Sequence, residues 1–137
     1  MKTRNIKSFA LMALIILCTV MFSGCYLLAG ILYDKINDPS KEFKLVGEST
    51  ITCTYNEEYK VYDVVVDGVA ANSGDDSWCW VSVTLVLYDA DHNVVGSAMA
   101  NVEIVQPQSN WRFHATGEAS YEVASVELHE FTGERYY

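Results

Sequence analysis

A chain of 137 residues, of which 50% are apolar and 20% charged, is long enough for one globular domain and too short for two with separate cores. Its 2 Pro and 8 Gly exclude collagen-like and low-complexity architectures. The formal net charge of −9 argues against nucleic-acid binding, because contacts to phosphates need clustered Lys and Arg.

The first segment of the chain predicts export. Three basic residues within the first seven precede a long uncharged run, as in a signal peptide. The run reaches the sequence FSGC at 22–25, which resembles a bacterial lipobox, where small residues precede a cysteine that is lipidated before the signal peptide is removed. By this resemblance residues 1–24 are a lipoprotein signal peptide, and Cys25 is the first mature residue and carries the lipid.

An uncleaved membrane helix is the alternative. No charge occurs between Ser8 and Tyr33, and about 20 apolar residues already span a bilayer. A helix continuing to Tyr33 would anchor the chain with its N-terminus in the cytoplasm; a helix buried inside a cytoplasmic protein is a third interpretation. Under either anchor the rest of the chain lies at the extracytoplasmic face of a bacterial cell membrane, with residues 25–42 as a tether and residues 43–137 as a domain.

Removal of the signal peptide makes the protein more acidic. Three of the 9 basic residues and none of the 18 acidic ones precede Cys25, so the mature chain carries 6 − 18 = −12. Anionic lipid headgroups and polyanionic wall polymers would repel such a domain. The predicted partners are therefore the membrane, through the anchor, and an unidentified protein or glycan, with no nucleic acid.

The four cysteines divide into two pairs. Cys18 lies in the apolar run and Cys25 is the predicted lipid site, which leaves Cys53 and Cys79 in the exported part. Disulfides persist outside the cytoplasm, and both residues fall on the inward side of their predicted strands. The sequence therefore predicts a Cys53–Cys79 disulfide, with two buried free thiols as the alternative.

From Phe43 onward, apolar and polar residues alternate with a period of two, and turn residues interrupt the pattern at short intervals. The third predicted strand shows this most clearly, with Val81, Val83, Leu85 and Leu87 on one side. Six or seven strands in the domain predict an all-β fold, an immunoglobulin-like antiparallel β-sandwich. The predicted strands cover residues 50–55, 60–72, 78–88, 94–105, 111–115 and 124–128.

The third strand also points to a family. Its end, LVLYD at 85–89, resembles the signature of the FxLYD domain, a small immunoglobulin-like module of bacterial exported proteins, with Leu85 in place of the family's Phe. The resemblance extends over about residues 64–131 and implies the sandwich fold, the envelope location and no catalytic residues. Gln108 replaces an expected Gly. The other similar segments are GVAAN at 68–72, VVG at 94–96, and VQP at 105–107 followed by Phe113.

No constellation of residues predicts catalysis. The three histidines, at positions 92, 114 and 129, lie in different elements without metal-ligand spacing, and no G-x-S-x-G, S-x-x-K or P-loop motif occurs. Asp89, Asp91 and Asn93 are spaced like the start of a calcium loop, but its sixth-position Gly and later Glu are missing, and the three suit a hairpin turn. The sequence predicts a non-enzymatic protein with no metal site and no cofactor.

The predicted binding surface is aromatic. On the third strand Trp78, Trp80 and Tyr88 alternate with the core residues, so we expect them on the outer face. Exposed aromatic side chains can stack on sugars or contact a protein, although in a sandwich they also pack on cross-strand neighbours. The sequence therefore favours a membrane-anchored interaction module. The alternatives are a structural accessory subunit of an envelope complex and a glycan-binding module.

Overall fold

Seven antiparallel strands make up most of the computed structural model, which describes residues 38–136. A short 3₁₀ turn spans Pro39–Lys41, and no helix in the described range is long and apolar enough to cross a membrane. The predicted signal peptide or anchor helix, and the lipid site Cys25, lie outside the described residues. The strands are β1 Phe43–Leu45, β2 Thr50–Asn56, β3 Val61–Asn72, β4 Ser77–Tyr88, β5 Val94–Val105, β6 Ser109–Ala119 and β7 Ser125–Tyr136.

The strands form one sheet in the order β1-β3-β6-β5-β4-β7, and β2 also pairs with β3. β5 and β6 pair only where Gly96–Met99 run beside Thr116–Ala119. Beyond that stretch β5 continues along β4 and β6 continues along β3, so the sheet folds over and nearly closes. The structure therefore confirms the predicted all-β, antiparallel, sandwich-like class.

The core is enclosed by this folded sheet. On β4, Val81, Val83, Leu85 and Leu87 are fully buried, as their alternation predicts. Successive side chains of a strand point to opposite faces, so this aliphatic run presents one apolar side to the interior. β3 and β6 add Val64, Val66, Ala70, Phe113, Ala115 and Ala119 to the core, and β1, β5 and β7 add Phe43, Ala98, Ala100, Val105 and Phe131.

Three residues included in the family resemblance, Gly68, Asn72 and Phe113, have structural roles. The Phe113 ring lies over Gly68, so that a side chain with a Cβ at position 68 would overlap the ring. Asn72 is 1% exposed, and its side-chain amide donates to the carbonyl oxygens of Asp76 (2.9 Å) and Gln106 (3.1 Å). Because a buried amide without partners destabilises a fold, these bonds hold the loop after β3 against the end of β5.

The folded unit begins earlier than the sequence predicts. The predicted boundary between tether and domain is Phe43, whereas the 3₁₀ turn at Pro39–Lys41 already packs against β7. Pro39 is buried, and Glu42 makes hydrogen bonds to side chains of β4 and β7. The last part of the predicted tether, residues 38–42, therefore belongs to the domain.

Candidate interaction surface

The regular alternation of β4 breaks at Trp80. Trp78 and Val81 are both fully buried, whereas the two residues between them, Cys79 and Trp80, are not. The backbone of Trp80 has a φ of 52°, in the left-handed region that bulky residues rarely adopt. The register between β4 and β7 shifts here, between Cys79 and Ser82. A β-bulge therefore turns two consecutive side chains to the outer face.

The alternation of buried and exposed side chains on β5 also shifts by one residue, next to the bulge in β4. The alternation predicts Ile104 on the same side as Ala100, but Ile104 is 42% exposed and Val105 is buried. Ile104 lies opposite Cys79, and Val105 lies opposite Trp78. The two strands therefore change face at the same level, and Ile104 does not share the side of Ala100 as the alternation predicts.

Trp78 belongs to the core, which contradicts its predicted place on an outer patch. Its side chain is fully buried, and the Phe43 ring meets it edge-on with 6.2 Å between ring centroids. The indole Nε1 donates a 2.7 Å hydrogen bond to a carboxylate oxygen of Glu42. The prediction was wrong because it extended the period of two through the bulge.

Tyr88 lies near the other end of β4. Its half-buried ring stacks on His92, with 4.4 Å between the ring centroids and 9° between the ring planes. Trp80 is about eight residues away, or about 26 Å along an extended strand. The three predicted aromatic residues therefore do not form one patch, and among them only Trp80 is strongly exposed, at 66%.

Trp80 has exposed apolar neighbours on both adjoining strands. On β5, Ile104 lies opposite Cys79, the residue before Trp80. On β7, Tyr136 is 61% exposed and lies opposite Ser77, at the same end of the same face. Isolated exposed apolar residues are common on protein surfaces, but here three occur together on adjacent strands.

Two carboxylates border these apolar side chains. On β5, Glu103 is level with Trp80, because its neighbours in sequence pair with the residues on either side of Trp80. On β7, Glu134 lies opposite Cys79. Both glutamates are exposed, and neither carboxylate makes a hydrogen bond or ion pair within residues 38–136. We call the set Trp80, Ile104, Tyr136, Glu103 and Glu134 the Trp80 surface.

A second polar cluster, centred on Glu42, has a structural role. One Glu42 carboxylate oxygen accepts from Trp78, and the other accepts from Arg135 Nη2 at 2.7 Å. Arg135 also pairs with Asp76 at 3.0 Å, and its guanidinium lies 5.4 Å from the centroid of the Trp78 ring. Among the buried side-chain polar atoms of residues 38–136, only Arg135 Nε has no partner. The cluster joins the segment before β1 to the end of β7, and sequence reasoning missed it.

The predicted Cys53–Cys79 disulfide is absent, and both residues are free thiols. Cys53 on β2 packs against the core, whereas Cys79 directly precedes the bulge residue and lies on the outer face with it. The strands that carry them are not neighbours in the sheet, since β2 pairs with β3, and β4 pairs with β5 and β7. The prediction was wrong because it placed both thiols on the inward side.

In the turn between β4 and β5, the Asp89 carboxylate accepts hydrogen bonds from other residues of the turn. The Asp89 carboxylate accepts from the side-chain amide and the backbone N–H of Asn93, at 3.0 and 2.8 Å, and from the backbone N–H of Asp91 at 3.0 Å. These donors hold the pKa of Asp89 below its ordinary range, and the Asn93 side chain contributes most. Within residues 38–136, no group of three or more His, Cys, Asp or Glu is placed to hold a metal ion.

Comparisons with known proteins identify no family for this chain. No protein-family model matches it, and no curated protein matches it. Among solved structures it is similar to IrmA from Escherichia coli, with 15% sequence identity and a TM-score of 0.41, over 64% of this chain and 79% of that one. Similarity at this level carries no function from that protein to this one.

Proposed function

We propose that this chain is a non-catalytic interaction module held at the extracytoplasmic face of a bacterial cell membrane, and that its Trp80 surface binds a protein partner. The proposed anchor is a lipid on Cys25, with an N-terminal helix continuing to Tyr33 as the alternative. The proposed fold type is an immunoglobulin-like sandwich of the FxLYD family. The divergence of β5 from β6, and the structural roles of Gly68 and Asn72, support that fold type.

The exposed Trp80 side chain on a left-handed backbone is the observation that carries the proposal. This backbone conformation costs a residue with a Cβ about 1–2 kcal/mol. A side chain that is 66% exposed offsets little of this cost through burial. Strained residues cluster at binding sites, and Trp is one of the residues that dominate binding energies at protein interfaces. A contact made in a complex would explain why a tryptophan occupies this position.

The surroundings of Trp80 also resemble those of an interface. Ile104 and Tyr136 extend the apolar area across adjacent strands, and carboxylates border it. Protein interfaces commonly have an apolar and aromatic centre with a polar rim. Because Cys79 pairs with Ile104 of β5 and with Glu134 of β7, the strands that carry the surface are held in one sheet, which reduces the ordering cost of binding.

Crosslinking of the anchored, full-length protein in cells, followed by affinity capture, tests the proposal. The wild type is compared with Trp80→Ala and with a control, Tyr121→Ala, which removes a 67% exposed aromatic side chain between β6 and β7. We expect a crosslinked protein that Trp80→Ala loses and Tyr121→Ala keeps, with similar melting temperatures for both variants. Equal capture by the two variants would place the contact elsewhere and overturn the proposal.

The wild type and the Trp80→Ala variant also test the two alternative functions, a glycan-binding module and a structural accessory subunit. A glycan-array signal that Trp80→Ala abolishes would replace the protein partner by a glycan. A stable, stoichiometric complex that Trp80→Ala leaves intact would indicate a structural accessory subunit, whose contacts lie on other parts of the domain.

The anchor has its own test. Metabolic labelling with a palmitate analogue should mark the wild-type protein, and Cys25→Ala should abolish the label and leave the precursor uncut. A protein that is unlabelled and still begins at Met1 would show that the helix, and not the lipid, holds it in the membrane.

A further inference from the structure

We infer that the Trp80 surface binds a cationic protein segment, with a Lys or Arg side chain over the Trp80 ring and the carboxylates of Glu103 and Glu134 beside it. This inference rests on the proposed function of that surface and specifies the chemistry of the partner. It follows from how charge is distributed over the two outer faces of the domain.

The outer face of β5, β4 and β7 carries acidic residues, and no exposed Lys or Arg of these strands accompanies them. β4 contains no charged residue, and the three strands together contain no Lys. Their single arginine, Arg135, turns inward to two carboxylates and is about four-fifths buried, with 22% of its side chain exposed. The acidic residues on these strands are Glu103, Glu127, Glu130 and Glu134.

The outer face of β3 and β6 has mixed charge. His114 Nδ1 lies 2.7 Å from a carboxylate oxygen of Asp67 on the neighbouring strand. Arg112 of β6 is exposed two residue pairs further along, opposite Val69. The face of β3 and β6 therefore has an exposed arginine beside its three acidic residues, Asp63, Asp67 and Glu118, whereas the strands of the Trp80 face carry acidic residues and no exposed Lys or Arg.

A cation fits this combination of groups. The face of a tryptophan ring attracts a cation through the ring quadrupole, and Trp does so more strongly than the other aromatic residues. Glu103 and Glu134 have no partner among the described residues, so neither would lose an existing ion pair on binding. The apolar side chains of Ile104 and Tyr136 suit the methylene stem of Lys or Arg.

Other occupants fit the surface less well. The described residues contain 5 Lys and Arg against 17 Asp and Glu, a balance of 5 − 17 = −12, so a second copy would bring like charge to like charge. Anionic lipids and polymers are repelled for the same reason. A neutral glycan could stack on Trp80 but would gain no Coulombic attraction from the glutamates, and this difference can be measured.

The test uses the full-length protein in nanodiscs of zwitterionic phosphatidylcholine. The probe is a fluorescent, end-capped peptide of alternating Arg and Gly, and its control is the same peptide with citrulline, a neutral isostere, in place of Arg. Fluorescence anisotropy gives the apparent Kd. We expect the Arg peptide to bind more tightly by at least about threefold, and the difference to shrink as added salt screens the charges.

Two double variants separate a local contact from the overall charge. Glu103→Gln/Glu134→Gln removes the carboxylates beside Trp80, and Glu48→Gln/Glu118→Gln removes two exposed carboxylates elsewhere, with the same change in net charge. The first should weaken binding of the Arg peptide by about threefold or more, and the second by much less. Trp80→Leu, which keeps an apolar side chain without the ring, should also weaken it.

Equal weakening by the two double variants would show a general charge effect and overturn the inference. Equal binding of the citrulline and Arg peptides would overturn it as well. If crosslinking in cells still depends on Trp80 in that case, the proposed function stands with a partner of different chemistry. If crosslinking does not depend on Trp80, the proposed function fails, whatever the peptides do.

Discussion

At the edge of the core, the Trp78 indole Nε1 donates a 2.7 Å hydrogen bond to Oε2 of the Glu42 carboxylate, so each group provides the hydrogen-bond partner that the other needs. Trp78 is fully buried, and the Glu42 side chain is only 17% exposed. A buried indole N–H needs an acceptor, and a carboxylate that loses water needs donors, so each group makes the burial of the other tolerable. Arg135 completes the arrangement at the second carboxylate oxygen.

We expect Glu42→Ala to lower the free energy of unfolding by about 2–4 kcal/mol. The substitution leaves the buried Trp78 N–H without an acceptor, and it removes one of the two carboxylates that pair with Arg135. Urea unfolding measures the change. Glu48→Ala is the matched control, since Glu48 is exposed and has no ion pair within the described range, and it should cost less than about 0.5 kcal/mol. Equal stability of the two variants would show that the cluster does not stabilise the fold.

Gly68→Ala should destabilise the domain by about 1–3 kcal/mol, because the added methyl group would overlap the Phe113 ring. The companion variant is Gly68→Ala/Phe113→Leu, in which the ring is removed. If overlap with the ring is the cause, the alanine should cost less in the Phe113→Leu background than in the wild type, which a double-mutant cycle of unfolding energies measures. The same cost in both backgrounds would contradict this explanation.

The sequence predicted the class of the fold and most strand positions, because aliphatic residues alternate with a period of two and turn residues separate the runs. Leu85 and Leu87 are buried as that pattern predicts. Trp78 and Cys79 were placed on the wrong sides because the bulge at Trp80 shifts the alternation by one residue. A left-handed backbone is normally marked by Gly or Asn, and no such residue marks this one.

The Glu42 cluster was missed for a different reason. Glu42 lies 36 positions before Trp78 and 93 positions before Arg135 in the sequence, so no local pattern indicates these hydrogen bonds. Glu42 also stands at the end of a polar stretch with the composition of a tether. The exposure of Trp80 was predicted, but its apolar neighbours were not, because Ile104 and Tyr136 reach the same face only through the register of three strands.

Trp80→Gly should be more stable than Trp80→Ala by about 1 kcal/mol. Alanine keeps the cost of a Cβ on a left-handed backbone, and glycine removes it, although glycine in an ordinary strand is less stable than alanine by about 0.5–1 kcal/mol. Thermal and urea unfolding measure the difference. The reference pair is Met99→Gly and Met99→Ala, at an exposed β5 position outside the bulge, where alanine should be the more stable. If the alanine variant were more stable than the glycine variant at both positions, the result would contradict backbone strain at Trp80.

The carboxyl group of Asp89 should titrate below the ordinary aspartate value of 3.8, because the Asn93 side chain and two backbone N–H groups donate to its charged form. A lowered folded-state pKa means that these bonds stabilise the fold above the unfolded-state pKa, near 4, and that this contribution is lost as the pH falls through the folded-state value. Carbon-detected NMR titration measures the midpoint. Asn93→Ala should raise it, and an unchanged midpoint would contradict the assigned cause.

The last prediction concerns Cys53 and Cys79, which should both be reduced in the folded domain. A disulfide needs Cα atoms within about 7 Å and side chains directed at each other, whereas Cys53 packs toward the core and Cys79 faces outward. Peptide mapping after alkylation, without reduction, should therefore find both thiols modified and no linked peptide. Cys79→Ser should change the free energy of unfolding by less than about 0.5 kcal/mol, because the side chain lies outside the core, whereas loss of a native bridge would cost about 2–5 kcal/mol. A linked Cys53–Cys79 peptide from protein that melts as one cooperative unit would contradict the outward position of Cys79, and with it the bulge that exposes Trp80.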